Sequence, residues 1–312
     1  MQHIVFVAIK PINRDEIVDL EQALLKIVAG DPAYDIETHQ DSGEVILRAP
    51  TEIQLETLTD LLNRECDIDV EVSPPQVVLK ETITQSAEGE GRFTVRWGGG
   101  GRYAHAKIRL APADPGSGYR FENRLGAGIL PDALIRSVDE SIREQLTCGM
   151  LGHRVDDVRV ELFDGSFHET DSSDTAFRIA GSMAFQDAEK KAGPVLLEPV
   201  MTAEVVAPDV FMGDLIADLN SRRAVIAGIE SKSGNESIRA IVPLATMLGY
   251  ATHLRAKTHG RASYFIQFDH YAPIPDSPDP EDEDRIAPVL APLKPKPGPR
   301  NRGVALPEPD ED

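Results

Sequence analysis

The sequence predicts an α+β protein in which the element order β-α-β-β-α-β occurs twice, at residues 1–82 and again at residues 194–271. Each copy follows the pattern of a ferredoxin-like unit, in which four antiparallel strands carry two helices on one face. Residues 83–193, between the copies, predict an elongated α/β module. Residues 272–312 hold eleven of the 23 prolines beside acidic runs. We expect this tail to be disordered, because it cannot bury enough apolar surface to offset its ordering entropy.

Hydrophobic periodicity places four strands and two helices in the first unit. The strands are expected at 3–11, 33–39, 44–49 and 67–73, and the helices at 14–31 and 52–66. Gly30 marks the end of the first helix, and the polar turn at residues 40–43 predicts a hairpin. Thr51 precedes the second helix and can cap its free amide groups.

The last unit repeats this order with its own turn signals. Its strands are expected at 196–208, 224–234, 236–243 and 261–271, and its helices at 209–223 and 244–260. Ser233, Gly234 and Asn235 predict the hairpin turn, and Gly260 stops the second helix. The repeated order therefore predicts a second ferredoxin-like unit.

The central module contains the stretch on which the functional interpretation depends, residues 158–191. The segment GRFTVRW at 91–97, two predicted strands at 104–112 and 119–125 and a predicted helix at 131–149 come before it. Val158, Val160 and Leu162 alternate with other residues and predict a strand with one buried face. Apolar residues recur at helical spacing after Ser173, which predicts a well-capped helix.

A short polar loop, residues 164–172, joins this strand to this helix and presents His168. A second loop, residues 113–119, follows the strand at 104–112. If the two preceding strands are neighbours in one sheet, we expect both loops to emerge at the same end and to form the tip of the module. Loop histidines are most often solvated surface residues, so His168 alone assigns no function.

The sequence around His168 gives little support for a catalytic site or a metal-binding site. The chain has no GxSxG nucleophile motif, and its eight histidines show no HxxxH or HExxH spacing. Glu169 and Asp171 lie close to His168, which leaves open an enzyme that uses this histidine with nearby carboxylates. We expect no catalytic residue, no bound metal and no cofactor.

Four consecutive glycines, Gly98 to Gly101, raise the question of a phosphate-binding loop. Such a loop needs Lys and then Ser or Thr directly after its last glycine, whereas Arg102 and Tyr103 follow here. No Gly-Lys pair occurs anywhere in the sequence. We therefore interpret the run as flexible or tightly turning backbone and expect no nucleotide binding by this chain.

The net charge of −20 argues against nucleic acid as a partner, because phosphate contacts need Lys and Arg. Residues 1–82 hold 17 acidic and 6 basic residues, however, whereas residues 83–193 hold 17 and 14. The middle of the chain therefore remains able to contact RNA. We expect a cytoplasmic protein without a membrane partner. The two cysteines show no CxxC spacing, the sequence shows no signal peptide, and no apolar run approaches the ~20 residues of a membrane span.

Several long blocks in the same order resemble bacterial elongation factor G, the ribosomal translocase, over its domains III, IV and V. They are GSFHETDSSDTAFRIAGSMAF, KKAGPVLLEPVM, GDLIADLNSRRAVIAGIES and VPLATMLGYATHLRAKTHGRASY, and the resemblance covers residues 3–271. It implies a ribosomal-protein-like fold for the central module. It also implies that this module follows tRNA and mRNA into the decoding centre, and that the last unit contacts large-subunit RNA.

The resemblance assigns residues to two RNA-facing regions. The tip that reaches the A-site tRNA and the decoding site comprises Gly165, Ser166, Phe167, His168, Glu169 and Asp171, beside Pro115, Gly116, Ser117 and Gly118. The ribosomal RNA contacts of the last unit are expected at Arg222, Arg223, Arg255, Lys257 and Arg261. Taken individually, basic groups of this kind are usually part of a solvated face, and RNA contact is the alternative interpretation.

The sequence also departs from the family pattern. The GTPase domain and the following β-barrel have no counterpart in this chain, so we expect it neither to bind nor to hydrolyse GTP. Two interpretations follow for a ribosome-binding monomer: it is part of a translocase whose GTPase portion is absent from this chain and is supplied by a separate module, or it is a divergent relative without a GTPase. The family stretch GMGELHLE is replaced by RAPTEIQ at residues 48–54, and GKPQV by SPPQV at residues 73–77. Two alternatives stay open: a ribosome protection or regulatory factor without a GTPase, and a module that binds other RNA or protein.

Overall fold

The computed structural model describes residues 3–275 apart from positions 29, 40, 41, 67, 98, 99, 233 and 234. Within these residues the chain forms three consecutive units that each contribute a sheet and two main helices. The predicted α+β class, with a ferredoxin-like unit on either side of a central module, is confirmed. The predicted disordered tail lies, from residue 276 onward, outside the described residues.

The N-terminal unit has the strand order of a ferredoxin-like sheet. It contains β1 (Val5–Pro11), α1 (Ile17–Val28), β2 (Asp35–His39), β3 (Glu44–Ala49), α2 (Glu52–Glu65) and β4 (Val70–Val72). The strands lie in the order β2-β3-β1-β4 and pair antiparallel. Leu20 and Leu24 of α1 and Leu55 of α2 are buried in its core. Thr51 caps α2, as predicted, by accepting a hydrogen bond from the Gln54 amide at 3.3 Å.

Two short strands follow that periodicity did not predict. β5 (Gln76–Val77) pairs with β1, whereas β6 (Lys80–Ile83) pairs with a strand of the C-terminal unit.

The central unit is a four-stranded sheet covered on one face by two helices. It contains β7 (Ala87–Trp97), β8 (Gly100–Pro112), β9 (Tyr119–Asn123), α3 (Asp132–Gln145), β10 (Arg154–Val155), β11 (Val158–Ser166) and α4 (Asp174–Lys191). The sheet order is β7-β8-β11-β9, in which β9 runs parallel to β11 and the other neighbours are antiparallel. Phe177 and Phe185 of α4 and Ile108 of β8 are fully buried between the layers.

The antiparallel pairing of β8 with β11 corrects the predicted position of one loop. Val158, at the start of β11, lies opposite Pro112, and Ser166, at its end, lies opposite His105. The loop at residues 113–119 therefore lies at the opposite end of the sheet from the loop at residues 164–172. Because β11 has nine residues, the two ends are roughly 30 Å apart at ~3.3 Å per residue. The expectation of one shared tip is wrong, because it required these strands to be parallel.

The C-terminal unit repeats the ferredoxin-like order. It contains β12 (Pro194–Pro208), α5 (Met212–Ser221), β13 (Val225–Lys232), β14 (Asn235–Pro243), α6 (Tyr250–Lys257) and β15 (Ser263–Pro273). The strands lie in the order β15-β12-β14-β13, and their pairs are antiparallel. The predicted helix at 244–260 is divided into a 3-10 turn at Leu244–Met247 and α6. Gly249 separates them at a φ of +71°, which glycine adopts without strain.

The C-terminal sheet extends into the rest of the chain. β6 pairs antiparallel with β12, and β10 pairs parallel with β6. The boundary expected between residues 82 and 83 therefore falls inside a strand of the C-terminal sheet. A side chain joins the outer units as well, since both carboxylate oxygens of Glu52 lie 3.0 Å from the Gly249 amide nitrogen.

Close contact between β7 and α4 sets the position of the long central helix. A Cβ added to Gly91 would lie 1.8 Å from the Ala180 carbonyl oxygen, and one added to Gly89 would lie 2.0 Å from the Ala184 oxygen. Backbone thus packs directly on backbone at both positions, and neither has room for any side chain.

Gly91→Ala is expected to lower the free energy of unfolding by roughly 3 kcal/mol, the upper end of the usual overpacking cost, because strand and helix must separate. Urea denaturation measures the loss. The matched control is Gly213→Ala in α5, where a Cβ would meet nothing within 4 Å and a gain of up to ~1 kcal/mol is expected. Equal stability of Gly91→Ala and the unchanged protein would contradict this direct packing of strand on helix.

Candidate nucleic-acid interface

The loop that carries His168 (residues 164–172, hereafter the His168 loop) is fixed at both ends. It begins in the last residues of β11 and ends where Ser173 caps α4, with its hydroxyl accepting a hydrogen bond from the Ala176 amide at 3.3 Å. Phe167 packs against the central core. Gly165 has no space for a side chain, because a Cβ there would lie 2.9 Å from the His105 carbonyl oxygen.

Ser172 ties the His168 loop to the start of β8. Its hydroxyl accepts a hydrogen bond from the His168 amide at 2.8 Å and donates one to the Tyr103 carbonyl at 2.7 Å. The Tyr103 amide in turn donates to the Asp171 carbonyl at 2.9 Å. The loop conformation is therefore set by backbone partners on two elements.

A second series of polar side-chain contacts lies beneath the loop. Ser166 Oγ lies 2.7 Å from the Tyr103 hydroxyl and 3.2 Å from His105 Nδ1. The other ring nitrogen of His105 lies 2.8 Å from a carboxylate oxygen of Glu90. Sequence reasoning missed Tyr103, His105 and Ser172, although the alternation in RYAH already places the first two on one face of a strand.

The His168 side chain itself is exposed. Its Nδ1 lies 3.3 Å from the Thr170 hydroxyl, and no carboxylate in the described part of the chain forms an ion pair with the ring. Glu169 is exposed and Asp171 is partly exposed. Among the described residues, no group of three or more His, Cys, Asp or Glu side chains is arranged to hold a metal ion. The loop therefore offers hydrogen-bonding groups on a rigid mount rather than an acid–base pair.

The second predicted loop, Pro115 to Gly118, lies elsewhere. Ser117 donates its amide to the Asp114 carbonyl at 3.0 Å, and the Gly118 amide donates to an Asp157 carboxylate oxygen at 2.8 Å. These contacts are at the start of β11, whereas the His168 loop is at its end. The elements that do lie beside the His168 loop are the start of β8 and Leu130, in the segment after β9.

Two of the five basic residues predicted to contact RNA have their charges engaged inside the protein. Arg222 donates to an Asp218 carboxylate oxygen at 3.2 Å and to the Thr246 carbonyl at 2.5 Å, and its guanidinium lies over the Tyr250 ring. Arg223 lies 2.5 Å and 2.7 Å from the two carboxylate oxygens of Glu198. Both residues are partly buried and act as structural ion pairs.

The Glu198 carboxylate explains why Arg223 is held so firmly. Glu198 is only 4% exposed, and burial raises the pKa of its carboxyl group while the Arg223 charge opposes that change. A buried carboxylate without a partner is costly, so Arg223 is needed to stabilise this part of the C-terminal unit.

The other three basic residues are engaged less fully, although Lys257 Nζ also lies 3.9 Å from a carboxylate oxygen of Asp218. Lys257 donates to the Asp214 carbonyl at 3.2 Å, and the Arg261 guanidinium lies 4.7 Å from the centre of the Phe211 ring. The side chain of Arg255 is exposed, and its guanidinium forms no hydrogen bond or ion pair with other described residues. The charge offered to solvent near α6 therefore comes mainly from Arg255 and Arg261.

Family models of elongation factor G match three consecutive stretches of this chain. Domain III matches residues 2–74, domain IV residues 75–193 and the elongation factor G C-terminus residues 195–281. The chain belongs to the elongation factor G family. The crystal structure of a protein from Thermus thermophilus matches 93% of this chain at 36% sequence identity, with a TM-score of 0.73. This chain spans 43% of the length of that protein.

The family match confirms the resemblance derived from the sequence. The His168 loop lies in the stretch that matches domain IV of elongation factor G, and Arg255 lies in the stretch that matches the C-terminus. None of the three matched models describes a GTP-binding domain. Among the described helices, none combines the length and apolar character that crossing a lipid bilayer demands.

Arg223→Ala is expected to lower the free energy of unfolding by roughly 3–5 kcal/mol, because it leaves Glu198 buried without its partner. Arg255→Ala, which removes an exposed and unpaired guanidinium, should change it by less than roughly 0.5 kcal/mol. Urea denaturation of both variants tests the division of these arginines into structural and available groups. Similar stabilities for the two variants would refute it.

Proposed function

We propose that this elongation factor G family protein binds the ribosome and acts in the movement of tRNA and mRNA. The observation that carries the proposal is the match to domains III, IV and the C-terminus in that order. The domain IV stretch contributes the His168 loop to the A-site tRNA and the decoding site, and the C-terminal stretch contacts ribosomal RNA. The action is steric and electrostatic, and the chain supplies no catalytic residue.

The contacts of the His168 loop support recognition of structured RNA. Such RNA is recognised largely through its shape, its phosphates and its 2′-hydroxyls. The His168 ring and the Glu169 carboxylate are exposed, and Ser172 fixes the backbone from which they project. A rigid mount lowers the entropy lost when these groups bind. The loop Pro115 to Gly118 is no part of this contact, because it lies at the other end of the sheet.

The proposal assigns GTP hydrolysis to a different module. The sequence has no Gly-Lys pair with which to form a P-loop, and the matched family models describe domains III, IV and the C-terminus. A GTPase module, on a longer chain or on a separate one, therefore drives the movement. The three units of this chain act as a monomer at the ribosome.

His168→Ala is expected to weaken binding to ribosomes that carry A-site tRNA by roughly tenfold, the effect of losing one hydrogen bond worth about 1.4 kcal/mol. Its urea midpoint should not change, because the ring is exposed. Cosedimentation with tRNA-loaded ribosomes measures the affinity, and toeprinting of the mRNA measures movement. The control is His270→Ala, which removes another exposed histidine, on β15.

Unchanged affinity and unchanged mRNA movement with His168→Ala would refute the role of this loop. Failure of the unaltered protein to cosediment with either ribosomal subunit would instead favour a module that binds other RNA or protein.

The salt dependence of ribosome binding tests the C-terminal contact separately. Arg255→Ala should reduce the slope of log affinity against log salt by about 0.7–0.9, the value for one phosphate contact. Arg64→Ala is the matched control, because Arg64 is also exposed and unpaired among the described residues but lies on α2. Equal slopes for the two variants would exclude Arg255 from the RNA contact.

A further inference from the structure

Two buried carboxylates hold the loop between α3 and β10 (residues 146–153, hereafter the α3–β10 loop). Glu81 comes from β6 and is 0% exposed, and Glu189 comes from α4 and is 3% exposed. An oxygen of Glu81 accepts a hydrogen bond from the His153 amide at 2.6 Å. An oxygen of Glu189 lies 3.3 Å from the Met150 amide nitrogen. The loop is thus fastened to the C-terminal sheet through β6 and to the central unit through α4.

The two carboxylates are close neighbours. A Cβ placed on Gly149 would lie 2.5 Å from Oε2 of Glu81 and 2.8 Å from Oε1 of Glu189. Oε2 of Glu81 is buried and has no hydrogen-bond partner in the described structure. Two carboxylates that share a buried site cannot both ionise without a large electrostatic cost, so an additional positive group or a proton is required.

No cation in the described part of the chain supplies that charge. Lys80, next to Glu81, forms an ion pair with Asp156 at 2.7 Å, and Lys191, near Glu189, forms one with Asp187 at 2.7 Å. No Lys, Arg or His forms an ion pair with either glutamate among the described residues.

The titratable groups of the loop itself supply no charge either. Burial lowers the pKa of His153, which favours the neutral ring. Burial, together with the charges of Glu81 and Glu189, raises the pKa of the Cys148 thiol and keeps it protonated. A shared proton is the remaining means of balancing the pair.

We propose that Glu81 and Glu189 share one proton and form a proton-dependent latch, which fastens the α3–β10 loop between the central unit and the C-terminal sheet and weakens as the pH rises from acidic to neutral. One of the two carboxyl groups is protonated, so that the buried site carries one negative charge. That charge is balanced by the loop amides. Loss of the proton leaves two repelling charges at the junction of the two units.

The direction of the pH effect follows from the difference between the pKa values of the carboxyl groups in the closed latch and in the released loop. Burial and then the charge of Glu81 raise the pKa of Glu189 from 4.5 to about 7, and burial raises the pKa of Glu81 as well. The closed latch therefore keeps a proton that the released carboxyl group loses above its ordinary pKa of 4.5. The free energy by which the proton stabilises the closed latch is therefore greatest below pH 4.5. It falls between pH 4.5 and 7 and is lost above pH 7. The latch does not depend on ribosome binding.

Hydrogen exchange of the Met150 and His153 amides tests the latch in the full chain. After correction for intrinsic exchange, their protection should fall by at least roughly tenfold between about pH 5 and about pH 7.5. Glu189→Gln keeps the shape of the side chain and removes its charge, so its protection at the higher pH should match that of the unaltered protein at the lower pH. The Val7 amide, in the core of the N-terminal unit, serves as an internal reference without this fall.

Glu81→Gln gives an independent second test and should also abolish the pH dependence of the amide protection. Glu56→Gln, at an exposed position of α2, removes one charge away from the latch and should retain the full fall in protection. Equal protection of the unaltered protein at the two pH values would overturn the proposal. A fall that persists in both Glu81→Gln and Glu189→Gln would overturn it too.

Discussion

The antiparallel pairing of β8 with β11 determines which groups meet at each end of the central unit. Ser166 lies opposite His105, so the His168 loop contacts the start of β8. Val158 lies opposite Pro112, so the loop at residues 113–119 meets the start of β11 near Asp157. One end of the sheet therefore presents the candidate RNA contact. The other end lies next to β10, which pairs into the C-terminal sheet through β6.

The helix α4 links these two ends. Its first residue follows the Ser173 cap beside the His168 loop, and Glu189 near its last turn fastens the α3–β10 loop. Eighteen residues at ~1.5 Å each span about 27 Å. Direct contact of its backbone with β7 at Gly89 and Gly91 leaves little freedom for sliding. A displacement of the His168 loop along α4 would therefore reach the junction that Glu81 and Glu189 hold.

Local patterns in the sequence were sufficient to predict the elements and the class of fold. Both β-α-β-β-α-β orders, and the caps at Thr51 and Ser173, depend on neighbours within a few residues. The pairing of β8 with β11 and the recruitment of β6 to β12 join residues far apart in the chain, and periodicity carries no information about strand direction. For that reason the elements around His168 were predicted correctly, but its companion loop was not.

The same distinction applies to the basic residues. Arg222 has its acidic partner Asp218 one helical turn earlier, a spacing visible in the sequence. Arg223 pairs with Glu198, 25 residues away, and this contact exists only in the folded sheet. Because both charges are neutralised within the protein, the count of Lys and Arg overstates the positive charge that the C-terminal unit offers to RNA.

With fewer unpaired Lys and Arg side chains, the release of counterions contributes less to the free energy of RNA binding. Placed hydrogen-bonding groups on rigid backbone must then contribute more, as they do in recognition by shape. The Ser172 contacts to His168 and Tyr103 provide such rigidity at the His168 loop. The proposed RNA contact of a chain with a net charge of −20 therefore depends on a fixed loop and a few exposed arginines.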